Sequence, residues 1–399
     1  MLKEKEQTVR PEIFILILNW NNGEYTIECL ESVFRNTRPD YQVVVIDNGS
    51  TDDSVTRIRK WAEGKKTAPA RFAQGEMIEK PIPIISYDRE KAENGGALEE
   101  EQKAAKSSSR VLVMIQTGAN LGFAGGNNVG IKYACARHSD FILLLNNDAF
   151  FRSTEALPTM VDFMERTPRA GACGGRLFYP DGSPQQSYGN FPSVLRILSY
   201  LFPLYKLLPQ SWFKCVKRSN VVPDDCDQGP IHIDWPSGAC LMVRSKMIED
   251  VGMLDEQYFL YMEETDWCFR MRAHGWDRYY LPQVEVTHAF GGTVNNSGVS
   301  MRRYHLESQF IYYQKYFSKW ALSLILTGYM FSSYFSVLYF KVAARLLSAE
   351  HRVKTTESRD YWLFALNLAI KAMRNLVSGN RATLMQSSNS SSAKLARHA

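Results

Sequence analysis

Paired cysteines are missing from this 399-residue chain. Its seven cysteines are odd in number, scattered and without any CxxC spacing, which excludes a disulfide framework and a thiolate zinc site. Cys240 and Cys268 fall inside predicted elements and read as small core residues. A strong charge of one sign is missing as well: 47 Lys and Arg stand against 42 Asp and Glu, and no nucleic-acid partner is expected. Met1 to Arg10 is charged and lacks the apolar stretch of a signal peptide, so the chain is expected to stay in the cytoplasm. The 45% hydrophobic content is enough for one large α/β domain with a helical appendix.

Against these absences stands the run Phe141-Ile142-Leu143-Leu144-Leu145-Asn146-Asn147-Asp148, a wholly apolar strand ending in two amides and a carboxylate. A strand apolar on both faces suits a buried parallel sheet, and such sheets bind ligands beyond their strand carboxyl ends. A hard carboxylate there suits a divalent cation that shares its shell with phosphate oxygens, although Asn-Asn-Asp is also good turn chemistry.

Ile13 to Leu18 is a second apolar run, ending in Asn19-Trp20-Asn21-Asn22-Gly23. Tyr25 to Arg35 follows as a helix with Ile27, Leu30, Val33 and Phe34 on one face. The next strand, Val43 to Ile46, runs into Asp47-Asn48-Gly49-Ser50-Thr51-Asp52-Asp53. Strand, loop, helix and strand with polar groups at each strand end predict an α/β fold with a Rossmann-like, mostly parallel sheet. Asp47 can accept from a base N–H, and Gly49 permits a close approach of backbone. Ser50, Thr51 or Asp52 can alternatively cap the helix that starts near Ser54.

Four motifs in order, each after a strand, carry a resemblance: Ile17-Leu18-Asn19-Trp20-Asn21, Asp47 to Asp52, Asn120-Leu121-Gly122-Phe123-Ala124-Gly125-Gly126-Asn127-Asn128, and Leu145-Asn146-Asn147-Asp148. Together they resemble the family 2 glycosyltransferases with the GT-A nucleotide-sugar-binding fold, and within it the bacterial rhamnosyltransferases. The resemblance covers Pro11 to Phe317, with a break between Gly64 and Arg110. It implies a nucleotide-sugar donor held by Asn19, Asn21, Asp47, Asn48, Gly49, Asn120, Gly122, Phe123, Gly126, Asn127 and Asn147. It also implies a Mg²⁺ or Mn²⁺ ion at Asp148, with His288 of Val286-Thr287-His288-Ala289-Phe290-Gly291-Gly292 as a late metal or diphosphate ligand. Imidazole suits Mn²⁺ better than Mg²⁺, and a lone histidine after a strand can equally be structural.

Further on, Met262-Glu263-Glu264-Thr265-Asp266 opens a predicted helix. Crowded carboxylates beside a pocket can supply a general base, because like charges and partial burial raise one of their pKa values, although an acidic first turn also suits an ordinary surface helix. The family's usual motif is Glu-Asp-x-Asp with its second acid as base. That resemblance implies Glu264, one methylene longer here, with Glu263 as the alternative.

The resulting expectation is a catalytic domain over 11–317 containing a mobile insertion at 64–110, a helical segment over 318–382 and a disordered tail at 383–399. Trp320 to Phe340 is uncharged over 21 residues, close to the ~20 that span a bilayer. Its tyrosines and serines also allow a helix lying on the membrane's inner face or packed on its neighbour Tyr361 to Leu376. The expected activity is metal-dependent, inverting transfer of a sugar, rhamnose by resemblance, to a surface polysaccharide or a lipid-linked glycan precursor. A nucleotidyltransferase is the enzymatic alternative, but its basic triphosphate loop has no counterpart in Asn19-Trp20-Asn21-Asn22-Gly23. A catalytically silent nucleotide-sugar-binding scaffold is the other.

Overall fold

The structure is a computed structural model that describes residues 12–37, 40–69, 78–108, 110–202, 229–289, 298–346 and 349–378. The chain divides into two compact units. One comprises Met1–Gly189, Val222–Leu254 and Trp267–Thr293, the other Asn190–Val221, Asp255–Asp266 and Val294–Ala399.

The first unit is built on a ten-stranded sheet. Five parallel strands form one half, in the order β3 (Ile84–Asp88), β4 (Leu112–Gln116), β2 (Gln42–Asp47), β1 (Ile13–Asn19) and β5 (Phe141–Asn146). The sheet continues through β11 (Cys240–Arg244), antiparallel to its neighbours, then β7 (Ala170–Phe178), β12 (Asp277–His288) and β6 (Ala149–Phe151), with β9 (Ile231–His232) also on β12. β8 (Tyr188–Gly189) and β10 (Trp235–Pro236) form a separate pair. The apolar runs explain the centre: Ile15, Leu16, Ile17, Val44, Val45, Ile142 and Leu143 have no exposed surface, and each such burial contributes roughly 1.5–3 kcal/mol.

Register gathers the polar strand ends at one edge. Asn19 pairs with Asp47, Leu18 with Asn146, and Asp47 with Gln116. Helix α1 (Gly23–Phe34) buries Ile27, Leu30, Val33 and Phe34, as its spacing predicts. α2 (Ser54–Ala62) begins where Asp52 Oδ1 accepts from the Ser54 N–H at 3.0 Å.

Of the insertion expected to be mobile over 64–110, the described residues carry regular structure. β3 matches the strand seen at Pro81 to Tyr87 and extends the sheet, and α3 (Arg89–Glu93) and α4 (Leu98–Ser107) follow it. The physical reason is Glu101. In the run Glu99-Glu100-Glu101 it reads as solvated, yet it is buried, its Oε1 accepts from Tyr87 Oη at 2.6 Å and Tyr133 Oη at 2.8 Å, and its Oε2 forms an ion pair with Arg137 Nη2 at 2.9 Å.

The second unit holds α7 (Val194–Leu201), the first turn of α9 (Glu263–Ala273), α10 (Gly298–Tyr316), α11 (Lys319–Leu346) and α12 (Ala349–Val377). α8 (Ser245–Val251) belongs to the first unit. The helices expected over 318–382 are α11 and α12, and α10 groups with them; 383–399 lies outside the described residues.

Candidate functional site

A hydrogen-bonded amide cradle lies at the polar sheet edge. Asn19 Nδ2 donates to Asp47 Oδ1 at 3.0 Å and to Ser50 Oγ at 3.0 Å, while its Oδ1 accepts from Thr26 Oγ1 at 2.7 Å. Thr26 in turn accepts from Asn147 Nδ2 at 3.1 Å, so one chain of hydrogen bonds runs from Asp47 through Asn19 and Thr26 to the residue before Asp148. Asn48 Nδ2 donates to Asn120 Oδ1 and to the Gly122 carbonyl, both at 3.1 Å, tying the β2 loop to the start of α5 (Gly122–Ala136). Asn21, with φ +51°, accepts at Oδ1 from the Thr51 N–H at 2.6 Å.

Gly49 is required for a different reason than ligand approach. At φ +74° it faces backbone, and an added Cβ would sit 2.6 Å from the Ala119 carbonyl carbon. Gly126 and Asn127 also point into the fold: a Cβ on Gly126 would meet Leu18 Cδ1 at 2.6 Å, and Asn127 Nδ2 donates to the Phe123 carbonyl at 3.0 Å. These residues shape the Asn48 side of the cradle from behind. Phe123, in the first turn of α5, is half-buried. A shallow polar pocket is lined by Asn21, Asn22, Tyr25, Asp52 and Arg57, and the buried Asn22 side-chain N–H₂ finds no hydrogen-bond partner there.

Asp148 and His288 meet where β6 pairs with β12. His288 Nε2 stands 3.2 Å from Asp148 Oδ1 and 3.3 Å from Asn146 Nδ2, and both Asp148 and His288 are buried. Nδ1 lies 2.7 Å from Gln185 Oε1. With Nδ1 donating to that oxygen, Nε2 is left as the lone-pair nitrogen on the Asp148 side. A carboxylate and an imidazole converging in this way fit a divalent cation, Mn²⁺ more naturally than Mg²⁺. Among the described residues no group of three or more His, Cys, Asp or Glu converges, so a cation held here would complete its shell with phosphate oxygens and water.

The second unit contains the acidic turn Glu263-Glu264-Thr265-Asp266. Two consecutive non-glycine residues, Tyr261 at φ +69° and Met262 at φ +70°, adopt the left-handed conformation just before α9, a local strain of the kind that clusters at functional sites. Burial pushes the Glu264 carboxyl up to about 7. Burial, then the neighbouring Glu264 and Asp266, push Glu263 well above the usual carboxylate range, and its Oε2 is buried without a hydrogen-bond partner. Asp266, with no exposed surface, is held differently: its Oδ1 accepts from Lys315 Nζ at 2.6 Å, Tyr316 Oη at 2.7 Å and Tyr258 Oη at 3.2 Å. Lys315 also donates to Asp255 Oδ2 at 2.8 Å. Asp266 is thereby held by three side-chain donors, while Glu264 is a carboxyl poised to exchange a proton near neutrality.

Asn19, Asp47, Asn48 and Asn120 come together as the sequence predicts, and Asp148 meets His288 across 140 positions of chain. Thr26, Gln185, Asn22 and Lys315 were missed. Thr26 had a signal, a polar residue one turn before Leu30 on the apolar face of α1. Gln185 and Lys315 had none, because their roles depend on tertiary partners 103 and 49 residues away.

The family model described as Glycosyl transferase family 2 matches residues 14–75 and 93–217. The chain is 29% identical over 265 residues to the N-acetylglucosaminyl-diphospho-decaprenol L-rhamnosyltransferase of Mycobacterium tuberculosis, covering 62% of this chain and 83% of that protein. It is 26% identical over 203 residues to the rhamnosyltransferase WbbL of Escherichia coli K12, covering 49% and 71%. Among solved structures it is similar to the mannosyltransferase PcManGT from Pyrobaculum calidifontis in complex with GDP-Man and Mn²⁺, with a TM-score of 0.46 at 15% identity over 91% of this chain and 88% of that one.

Proposed function

We propose that this chain, a family 2 glycosyltransferase with the GT-A fold and rhamnosyltransferase relatives, moves rhamnose from a nucleotide diphosphate donor to a hydroxyl of a surface polysaccharide or lipid-linked glycan precursor. The observation that carries the reading is the hydrogen-bonded chain Asp47–Asn19–Thr26–Asn147, which ends one residue before the Asp148–His288 pair. It supports the reading by joining the amides proposed to bind the base to the carboxylate proposed to bind the cation.

Asp47 accepts from a base N–H, Asn19 and Asn120 hold the base and ribose, and the pocket beside Asn22 and Tyr25 takes the outer edge of the base. Asp148 and His288 would hold a Mg²⁺ or Mn²⁺ ion, which would supply charge neutralisation at the leaving nucleotide diphosphate. Glu264 takes the proton of the attacking acceptor hydroxyl, with Glu263 the alternative base. Attack opposite the leaving group inverts the anomeric centre, so no enzymic nucleophile is needed. The reaction takes place on the cytoplasmic side of the membrane, which the chain touches through 320–340.

The test is nucleotide diphosphate release from a panel of nucleotide sugars, with and without a chelator. The expected result is chelator-sensitive release from nucleotide-activated rhamnose above all other donors. Equal release with chelator present would remove the metal from the reading, and preference for another sugar would remove rhamnose.

A further inference from the structure

α11 has two faces with different fates. At ~100° per residue, Leu322, Ile325, Leu326, Tyr329 and Ser333 fall on one side, and all are buried. Trp320, Leu324, Phe331, Phe335, Leu338 and Val342 fall within an arc of ~60° on the other side, and they are 48–88% exposed. A continuous row of this kind marks an interaction site rather than ordinary surface scatter. From Lys319 to Leu346 the helix contains no acidic residue; its charges are Lys319 at one end and Lys341 and Arg345 at the other.

By length and composition alone, 319–345 is apolar enough to cross a membrane. Its covered face argues against crossing. α12 lies along it, with Ser323 Oγ 4.0 Å from Met373 Sδ, and the longest uncharged stretch of α12 runs only from Tyr361 to Ile370. Those ten residues rise ~15 Å, half of a ~30 Å hydrocarbon core, with Arg359 and Asp360 before them and Lys371 and Arg374 after. A crossing α11 would carry these charges into lipid.

α7 flanks the exposed row. An added Cβ on Gly328 would meet Leu198 Cδ2 at 2.8 Å, Ser332 Oγ donates to the Leu201 carbonyl at 3.1 Å, and the Phe202 and Phe331 rings lie 5.8 Å apart. α7 itself leaves Leu195 and Tyr200 exposed at 74% and 63%.

We infer that α7 and α11 together form a one-sided docking surface for an anionic lipid bilayer, with α11 lying in the interface plane. The apolar row enters the head-group boundary while the basic ends meet anionic lipid, and Trp320 and the tyrosines suit that depth. This deepens the peripheral contact proposed above by naming its second element and its orientation.

The experiment uses the full chain and vesicles of phosphatidylcholine with or without phosphatidylglycerol, scored by co-sedimentation, with nucleotide diphosphate release measured in parallel. Binding to the anionic vesicles should be at least ~10-fold stronger, and carbonate should release the protein from the membranes of expressing cells. Phe331→Glu with Leu338→Glu, and separately Leu195→Glu with Tyr200→Glu, should each weaken vesicle binding at least ~10-fold while nucleotide release is unchanged. Unaltered binding by the α7 pair would remove α7 from the surface, and carbonate resistance would overturn the in-plane orientation. A dimer in light scattering that the α11 pair dissolves would make the row a subunit interface instead. Absence of nucleotide release from every form would count against the proposed activity and leave the vesicle result standing by itself.

Discussion

Replacing Glu264 with Gln probes the chemistry at its most exposed point. Burial holds this carboxyl at about 7. A group with that value is ~10% ionised one pH unit below it and ~90% one unit above, so a base in this position makes turnover rise about tenfold from pH 6 to pH 8. Gln keeps the size and loses the proton acceptor. Turnover at pH 8 should therefore fall at least ~100-fold, the rise with pH should vanish, and nucleotide-sugar affinity should stay nearly constant. The assay is kcat over pH 5.5 to 8.5 at saturating donor and acceptor, with donor affinity taken by calorimetry. The same shift has a stability sign. The unfolded carboxyl loses its proton near 4.5 and the folded one near 7, so the folded state binds more protons between those values and stability declines as pH rises through that window. A flat wild-type profile, or Glu264→Gln with normal turnover, would refute the reasoning; a crippled Glu263→Gln with a healthy Glu264→Gln would move the base by one residue.

Other outcomes follow from the same contacts. Asp148→Ala should abolish Mn²⁺-dependent binding of nucleotide diphosphate in calorimetry while leaving the fold intact, and His288→Ala should weaken it by about tenfold, the usual scale for losing one ligand or its support. Lys315→Met strips the buried Asp266 of its cation and should lower stability in urea by about 3 kcal/mol, the lower end of the range for a broken buried pair because Lys315 is partly solvated. Gly49→Ala combines a positive φ with a 2.6 Å backbone approach and should cost at least ~1–3 kcal/mol in the same melts. Thr26→Val removes the hydroxyl that joins Asn19 to Asn147 and should weaken donor binding by about 1–3 kcal/mol in calorimetry.

What could be read from the chain, and what could not, divides by the range of the interactions. β1, β2 and β5 announce themselves because strands buried on both faces must be apolar throughout, and their polar ends fall at one edge as soon as the strands are parallel. The cradle was legible for the same reason. Asp148 was legible as a strand-end carboxylate, but Gln185, which orients His288, follows no strand end. Glu101 reads as one of three solvated acids until Tyr87, Tyr133 and Arg137 are brought around it. In the acidic turn the sequence shows three carboxylates but not their division of roles. That division comes from Lys315 and two tyrosine hydroxyls on Asp266, and from the burial of Glu263 and Glu264. For 320–340 the length and composition were plain. That one face of this helix is covered and the other exposed was not legible, because it depends on which helices pack against it.

The most direct test of the account is the anomeric configuration of the transferred sugar, read by NMR on the product of a single turnover from nucleotide-activated rhamnose. One displacement with one carboxylate base predicts a configuration opposite to that of the donor. A product with the donor's configuration retained would contradict it, because retention requires a step that Glu264 acting as base does not provide.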